Sequence, residues 1–197
     1  MEAMAPTPWV LAALLLAAPV SERIVWQRDD LMPPAQQAET LRLRVLATAK
    51  DGATTVTRGV QTTDIWKRRL ETQVLDVAGE ELTGAAALDL NDDGIKEVLL
   101  RFSPPRDQRL VHLVALCFSR RDQRYVKVLD QGPAAGLSAR WVSLVHTRDL
   151  HENGIAVDVT PPGQDHPTST TIYRLSGEML HVASHAGPGP APAPRPQ

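Results

Sequence analysis

Two stretches of the chain, sixty residues apart, share one frame. Asp89–Leu99 reads DLNDDGIKEVL and Asp149–Val159 reads DLHENGIAVDV, with Asp, Leu, two polar residues, Asn or Asp, Gly and Ile in the same order. The segments downstream of the two copies match as well. After the first come apolar-rich runs at Glu97–Ser103, Leu110–Phe118 and Arg124–Asp130, separated by PPRDQR and SRRDQ. After the second come Ile155–Thr160, Thr168–Leu175 and Glu178–Ser184, separated by PPGQDHP and Ser176-Gly177. Runs of this length, rich in Val, Leu, Ile and Thr and bounded by Pro, Gly and Asp, read as strands. A frame that recurs at a fixed spacing marks a duplicated unit. With leading strands at Gly84–Leu88 and Arg140–His146, each copy predicts a four-stranded antiparallel meander, one over about 84–130 and one over about 140–184.

Upstream, Arg23–Arg28 suits a short strand, and TLRLRVLATA over Thr40–Ala49 alternates apolar and polar residues as a half-buried strand does. Asp51-Gly52 then signals a hairpin, returning through Thr54–Val60. Thr63–Val77 fits both helical and strand spacing; its Thr, Val and Trp content favours strand. The expectation is an all-β protein of two meanders, with a third if 40–77 forms one, packed as a sandwich or open barrel. A complete propeller closes with about four to eight blades, more than this chain supplies. One domain over 21–185 accommodates the pattern.

The first copy carries readable chemistry. Asp89, Asn91, Asp93 and Glu97 stand at positions one, three, five and nine of a loop, with Gly94 directly after the third. Calcium takes six to eight oxygens, and side-chain oxygens at alternate positions curl around one ion, with a backbone carbonyl, here that of Ile95, at position seven. The helical calcium loop begins in the same way but needs a Glu at position twelve, which here is Leu100. EVLLRF is short and apolar and runs into Ser103-Pro104-Pro105, so the flanks read as strands. In that setting DLNDDGIKEVLL resembles the cation loop of FG-GAP or VCBS repeats, the β-propeller blades of integrin α chains and many bacterial surface proteins. The resemblance implies ligand roles for the side chains of Asp89, Asn91, Asp93 and Glu97 and for the Ile95 carbonyl. The same residues also suit a plain polar turn in which Asp and Asn bond their own backbone.

The second copy is the weaker cation candidate. Asp149, His151 and Asn153 fill positions one, three and five, but position nine is Val157, and Asp158 would face the opposite side of a strand. Losing a carboxylate and an oxygen donor lowers calcium affinity, so the expected structure is a metal-free turn. Cys117 lies in LVHLVALCFS, apolar on both alternating faces, and reads as a core thiol. His181 and His185, His166 beside Asp165, and the clusters Lys67-Arg68-Arg69 and Arg120-Arg121-Arg124 read as exposed or turn residues.

A net charge of −2 offers no basic field for nucleic acid. Trp9–Val20, WVLAALLLAAPV, has the length of a signal-peptide apolar core and is too short to span a bilayer. Residues 1–20 therefore read as an export signal, without a membrane span, and the chain as secreted or periplasmic. The final GPGPAPAPRPQ, 187–197, reads as an extended tail. Together these features predict a calcium-stabilised β-domain that binds or assembles with a protein or glycan. The alternative is a metal-dependent hydrolase that uses the acidic loop catalytically.

Overall fold

The computed structural model describes residues 22–32, 42–50, 53–64, 69–72, 77, 79–122, 124–146 and 151–188. The expected signal segment, the last nine residues of the tail and Asp149 lie outside them. Among the described residues the protein is all-β, with twelve strands and no helix. No helix there is long and apolar enough to cross a membrane.

The strands form three consecutive four-stranded antiparallel meanders, none closed into a barrel. The first contains β1 (Glu22–Arg28), β2 (Arg42–Lys50), β3 (Ala53–Asp64) and β4 (Arg69–Thr72). The second contains β5 (Glu81–Leu88), β6 (Glu97–Ser103), β7 (Leu110–Ser119) and β8 (Arg124–Ala135). The third contains β9 (Leu137–His146), β10 (His151–Val159), β11 (Ser169–Ser176) and β12 (Met179–Ala186). In each sheet, chain order is also spatial order, because every connection is a hairpin between neighbours. The upstream segment thus supplies a full third meander, and the strand reading of Thr63–Val77 holds over Arg69–Thr72.

The sheets stack face to face with the second in the middle. Successive residues of a strand point to opposite faces, and both faces of this sheet are covered. Val98, Leu100 and Phe102 of β6 and Val114 and Leu116 of β7 pack with Leu43, Val45 and Ala47 of the first sheet. Leu99, Leu113, Ala115 and Cys117 pack with Ile155, Val157, Tyr173 and Leu175 of the third. This explains why β6 and β7 are apolar nearly throughout, whereas β2 alternates. Each fully buried Leu or Val contributes about 1.5–3 kcal/mol relative to exposure, so the middle sheet anchors the other two.

The second copy of the shared frame departs from expectation. His151–Gly154 is not a turn but the start of β10, paired with β9 and, from Gly154, with β11. Gly154 serves close packing here: a Cβ would lie 2.5 Å from the Tyr173 carbonyl oxygen and 2.9 Å from Leu144 Cδ1. His181 and His185 both sit on β12, where a separation of four extended residues is about 13 Å, too far for a shared ion.

Candidate metal centre

The loop connecting β5 to β6 closes on the pair Leu88 and Glu97, the last residue of one strand and the first of the next. Its reversal uses two positive φ values, 58° at Asp92 and 85° at Gly94. Aspartate tolerates that region better than most side chains, and glycine enters it without a Cβ clash.

The oxygens that the sequence singled out line this bend. Asp89 accepts the Gly94 N–H at 2.8 Å through Oδ2 and the Asp93 N–H at 3.2 Å through Oδ1. Asn91 Oδ1 also accepts the Asp93 N–H, at 3.3 Å, and Asp93 Oδ1 accepts that of Ile95 at 2.8 Å. Glu97 Oε2 reaches across the base to the Leu90 N–H at 2.9 Å. Asp89, Asn91, Asp93 and Glu97 therefore belong to one local network. Ile95 is buried at its foot.

Electrostatics add a second observation. Glu97 is 2% exposed, and its carboxyl is pushed up to about 8, first by burial and then by the charges of Asp93 and Asp89. The Leu90 N–H opposes that rise. Asp89 is also raised, mainly by burial and further by Asp93. Beneath Glu97, burial raises the Cys117 thiol far above its ordinary range, and Glu97 adds to the effect. Asp89 and Asp93 are thus close enough to Glu97 to penalise its charge.

Among the described residues, no three acidic, histidine or cysteine side chains converge closely enough to hold an ion in the present arrangement. The loop's carboxylates are engaged with its own N–H groups. The donor chemistry nonetheless fits calcium: all the side-chain donors are hard oxygens, and a carboxylate accepts about four bonds, so one or two N–H contacts leave lone pairs for a cation. Asp89, Asn91, Asp93, the Ile95 carbonyl and Glu97 are the groups that would hold it.

The loop is tied to the segment after β1 and to the second and third sheets. Lys96 donates its N–H to the Leu31 carbonyl at 2.8 Å, and its Nζ lies 3.0 Å from Asp30 Oδ2, on the segment after β1. The Tyr125 hydroxyl of β8 donates to the Lys96 carbonyl at 2.8 Å. From the third sheet, Asn153 donates its N–H to the Leu90 carbonyl at 3.0 Å and its Nδ2 to the Asp89 carbonyl at 3.2 Å. Arg120, on the β7–β8 turn, places its guanidinium 3.4 Å from the Asp93 carbonyl oxygen and 3.8 Å from Asp93 Oδ2. Its N–H donates to Glu178 Oε1 at 3.0 Å, on the β11–β12 turn.

Asn153, a candidate ion ligand of the second copy on sequence grounds, instead holds the first copy in place. His151 is exposed at the start of β10, and His166 and Asp165 are exposed on the β10–β11 turn. Cys117 is buried, as expected.

Sequence reasoning missed His112. It is 4% exposed and bridges Glu80, 2.9 Å from Nδ1, and Asp130, 2.6 Å from Nε2; Lys127 Nζ lies 2.6 Å from Asp130 Oδ2. The one signal for it was a lone polar residue in LVHLV, since a buried polar group requires partners. A depression of about 530 Å3 opens elsewhere, lined by Arg23, Ile24, Val25, Ala47, Glu81 and Leu82, none of them in the loop. Comparison with family models, curated proteins and solved structures finds no match to this chain.

Proposed function

We propose that this chain is a secreted or periplasmic calcium-binding β-domain that acts in binding or assembly with a protein or glycan. Asp89, Asn91, Asp93, the Ile95 carbonyl and Glu97 hold the ion and stabilise the β5–loop–β6 unit. The observation that carries the reading is the buried Glu97 carboxyl, which shares its bend with Asp89 and Asp93 and is raised first by its burial and then by their charges. A bound divalent cation offsets that repulsion and adds stability of RT ln(1 + [Ca]/Kd).

The loop's position supports a structural role for such an ion. Residues 89 and 90 hydrogen-bond to β10 of the third sheet and residue 96 to the segment after β1, so fixing the bend fixes both ties. A hydrolytic use of the same carboxylates has no observation of its own in its favour. Export is supported by the apolar run Trp9–Val20.

The test is thermal unfolding of the full chain in calcium and in chelator. Calcium should raise Tm by several degrees, from about 1–3 kcal/mol of linkage, and Asp93→Ala should lose most of that rise. Equal melting of the parent chain in both conditions would refute the reading.

A further inference from the structure

We propose that Asn153 is a conformational joint that passes the state of the 89–97 loop to the third sheet. Ordering or loosening the loop then shifts how β9–β12 dock on β5–β8.

Leu90 is the first link. Its side chain is 1% exposed and belongs to the core shared by the second and third sheets, with Ile155 and Tyr173. Its N–H is held by Glu97 Oε2 at 2.9 Å and its carbonyl by the Asn153 N–H at 3.0 Å. One residue therefore joins the base of the loop to β10 through backbone and side chain together. The Asn153 side chain adds a second bond, from Nδ2 to the Asp89 carbonyl. The pairing of β10 with β9 shifts register between Glu152 and Asn153, and at that irregularity the Asn153 N–H turns to the loop. Such shifts in pairing re-aim local groups.

A further tie crosses between the same sheets, because Arg120 contacts Asp93 with its guanidinium and Glu178 with its N–H. Close-packed interfaces do not deform continuously. A displaced loop backbone must therefore break the Asn153 bonds or carry β10 with it. The joint itself needs no ion; that calcium is one of the events that order the loop rests on the calcium-binding reading.

The test is peptide-resolved hydrogen exchange on the full chain in chelator, comparing the parent, Gly94→Ala, Asn153→Ala and the double variant. Gly94 has φ 85°, so alanine strains the bend at a residue that does not itself bond Asn153. Gly94→Ala should speed exchange in β10 and β11 on the order of fivefold to tenfold, the scale of one net hydrogen bond. Asn153→Ala, which removes the Nδ2 bond to Asp89 and keeps the backbone bond to Leu90, should do the same to a lesser degree, and the double variant should fall short of the product of the two single effects. Unchanged protection of β6 and β7 shows that the variants fold. Asn153→Asp, which keeps the size but cannot donate to the Asp89 carbonyl, serves as the second variant if alanine prevents folding.

The proposal is overturned if Gly94→Ala accelerates the third sheet by the same factor with and without the Asn153 side chain. It is also overturned if the loop loosens while β10 does not respond. In a calcium arm, added protection should reach β10 more strongly in the parent than in Asn153→Ala. Calcium that protects the loop and leaves β10 unchanged in the parent counts against the joint. Calcium that leaves the loop's own exchange unchanged counts against the calcium reading alone, and the chelator comparison still decides the joint.

Discussion

The Asn153 N–H lies 3.0 Å from the Leu90 carbonyl oxygen, joining the two copies of a shared sequence frame. One copy forms an oxygen-lined bend and the other a strand that clamps it. The two copies thus divide the labour: position five of the second, Asn153, meets positions one and two of the first, Asp89 and Leu90.

Glu97 should make the calcium-free protein sensitive to pH. Its folded-state value of about 8 lies above its ordinary 4.5, so the folded chain binds this proton more tightly than the unfolded chain. The resulting stability is complete below about pH 4.5 and is lost as pH rises through about 8. In chelator, urea unfolding should show a decline on the order of several kcal/mol over that window. Glu97→Gln should flatten the decline and be the more stable protein at its upper end. Because a carboxylate must lose its proton to bind a metal, calcium should stabilise the parent more as pH rises.

Gly154 and Gly94 align in the shared frame but should fail differently. Gly154→Ala pushes a methyl into the Tyr173 carbonyl and Leu144 and should cost about 1–3 kcal/mol by overpacking. That loss should appear in the urea midpoint with or without calcium. Gly94→Ala strains a positive-φ turn, and its cost should change when calcium is added.

His112→Leu should be among the more damaging substitutions outside the loop. It removes the group between Glu80 and Asp130 and leaves two carboxylates partly buried, with Lys127 the remaining cation on Asp130. A cost of about 2–4 kcal/mol is expected from the unpaired polar groups. Restoring one bond with His112→Gln should recover part of it in the same denaturation assay.

Cys117 should be inert in the folded protein. Burial and the neighbouring Glu97 carboxylate raise its thiol well above the ordinary range, and the thiolate is the reactive form. Labelling by a disulfide reagent at pH 8 should therefore track unfolding. Reaction at the rate of a free thiol before unfolding would contradict this placement.

Features encoded over a few residues were legible in the chain's letters. Alternation in TLRLRVLATA, Asp51-Gly52 and the Pro-rich turns specified antiparallel strands and hairpins, since side-chain direction and turn chemistry are local properties. The bend that carries Asp89, Asn91, Asp93 and Glu97 could be read for the same reason: it spans nine residues, and its Asp and Asn oxygens accept its own N–H groups. The continuous apolar character of β7 also announced a strand covered on both faces.

The fate of HENGIAVDV, residues 151–159, was settled instead by packing between distant segments. Its letters permit a turn, but β9 and β11 pair with it along both edges, and the gain from that pairing and burial outweighs the local preference. The contacts of Asn153 with Asp89, of Arg120 with Glu178 and of His112 with Glu80 and Asp130 span 18 to 64 residues. No local periodicity records such pairs: those of His112 form when the strands of the middle sheet assemble, and the others when the second and third sheets close on one another.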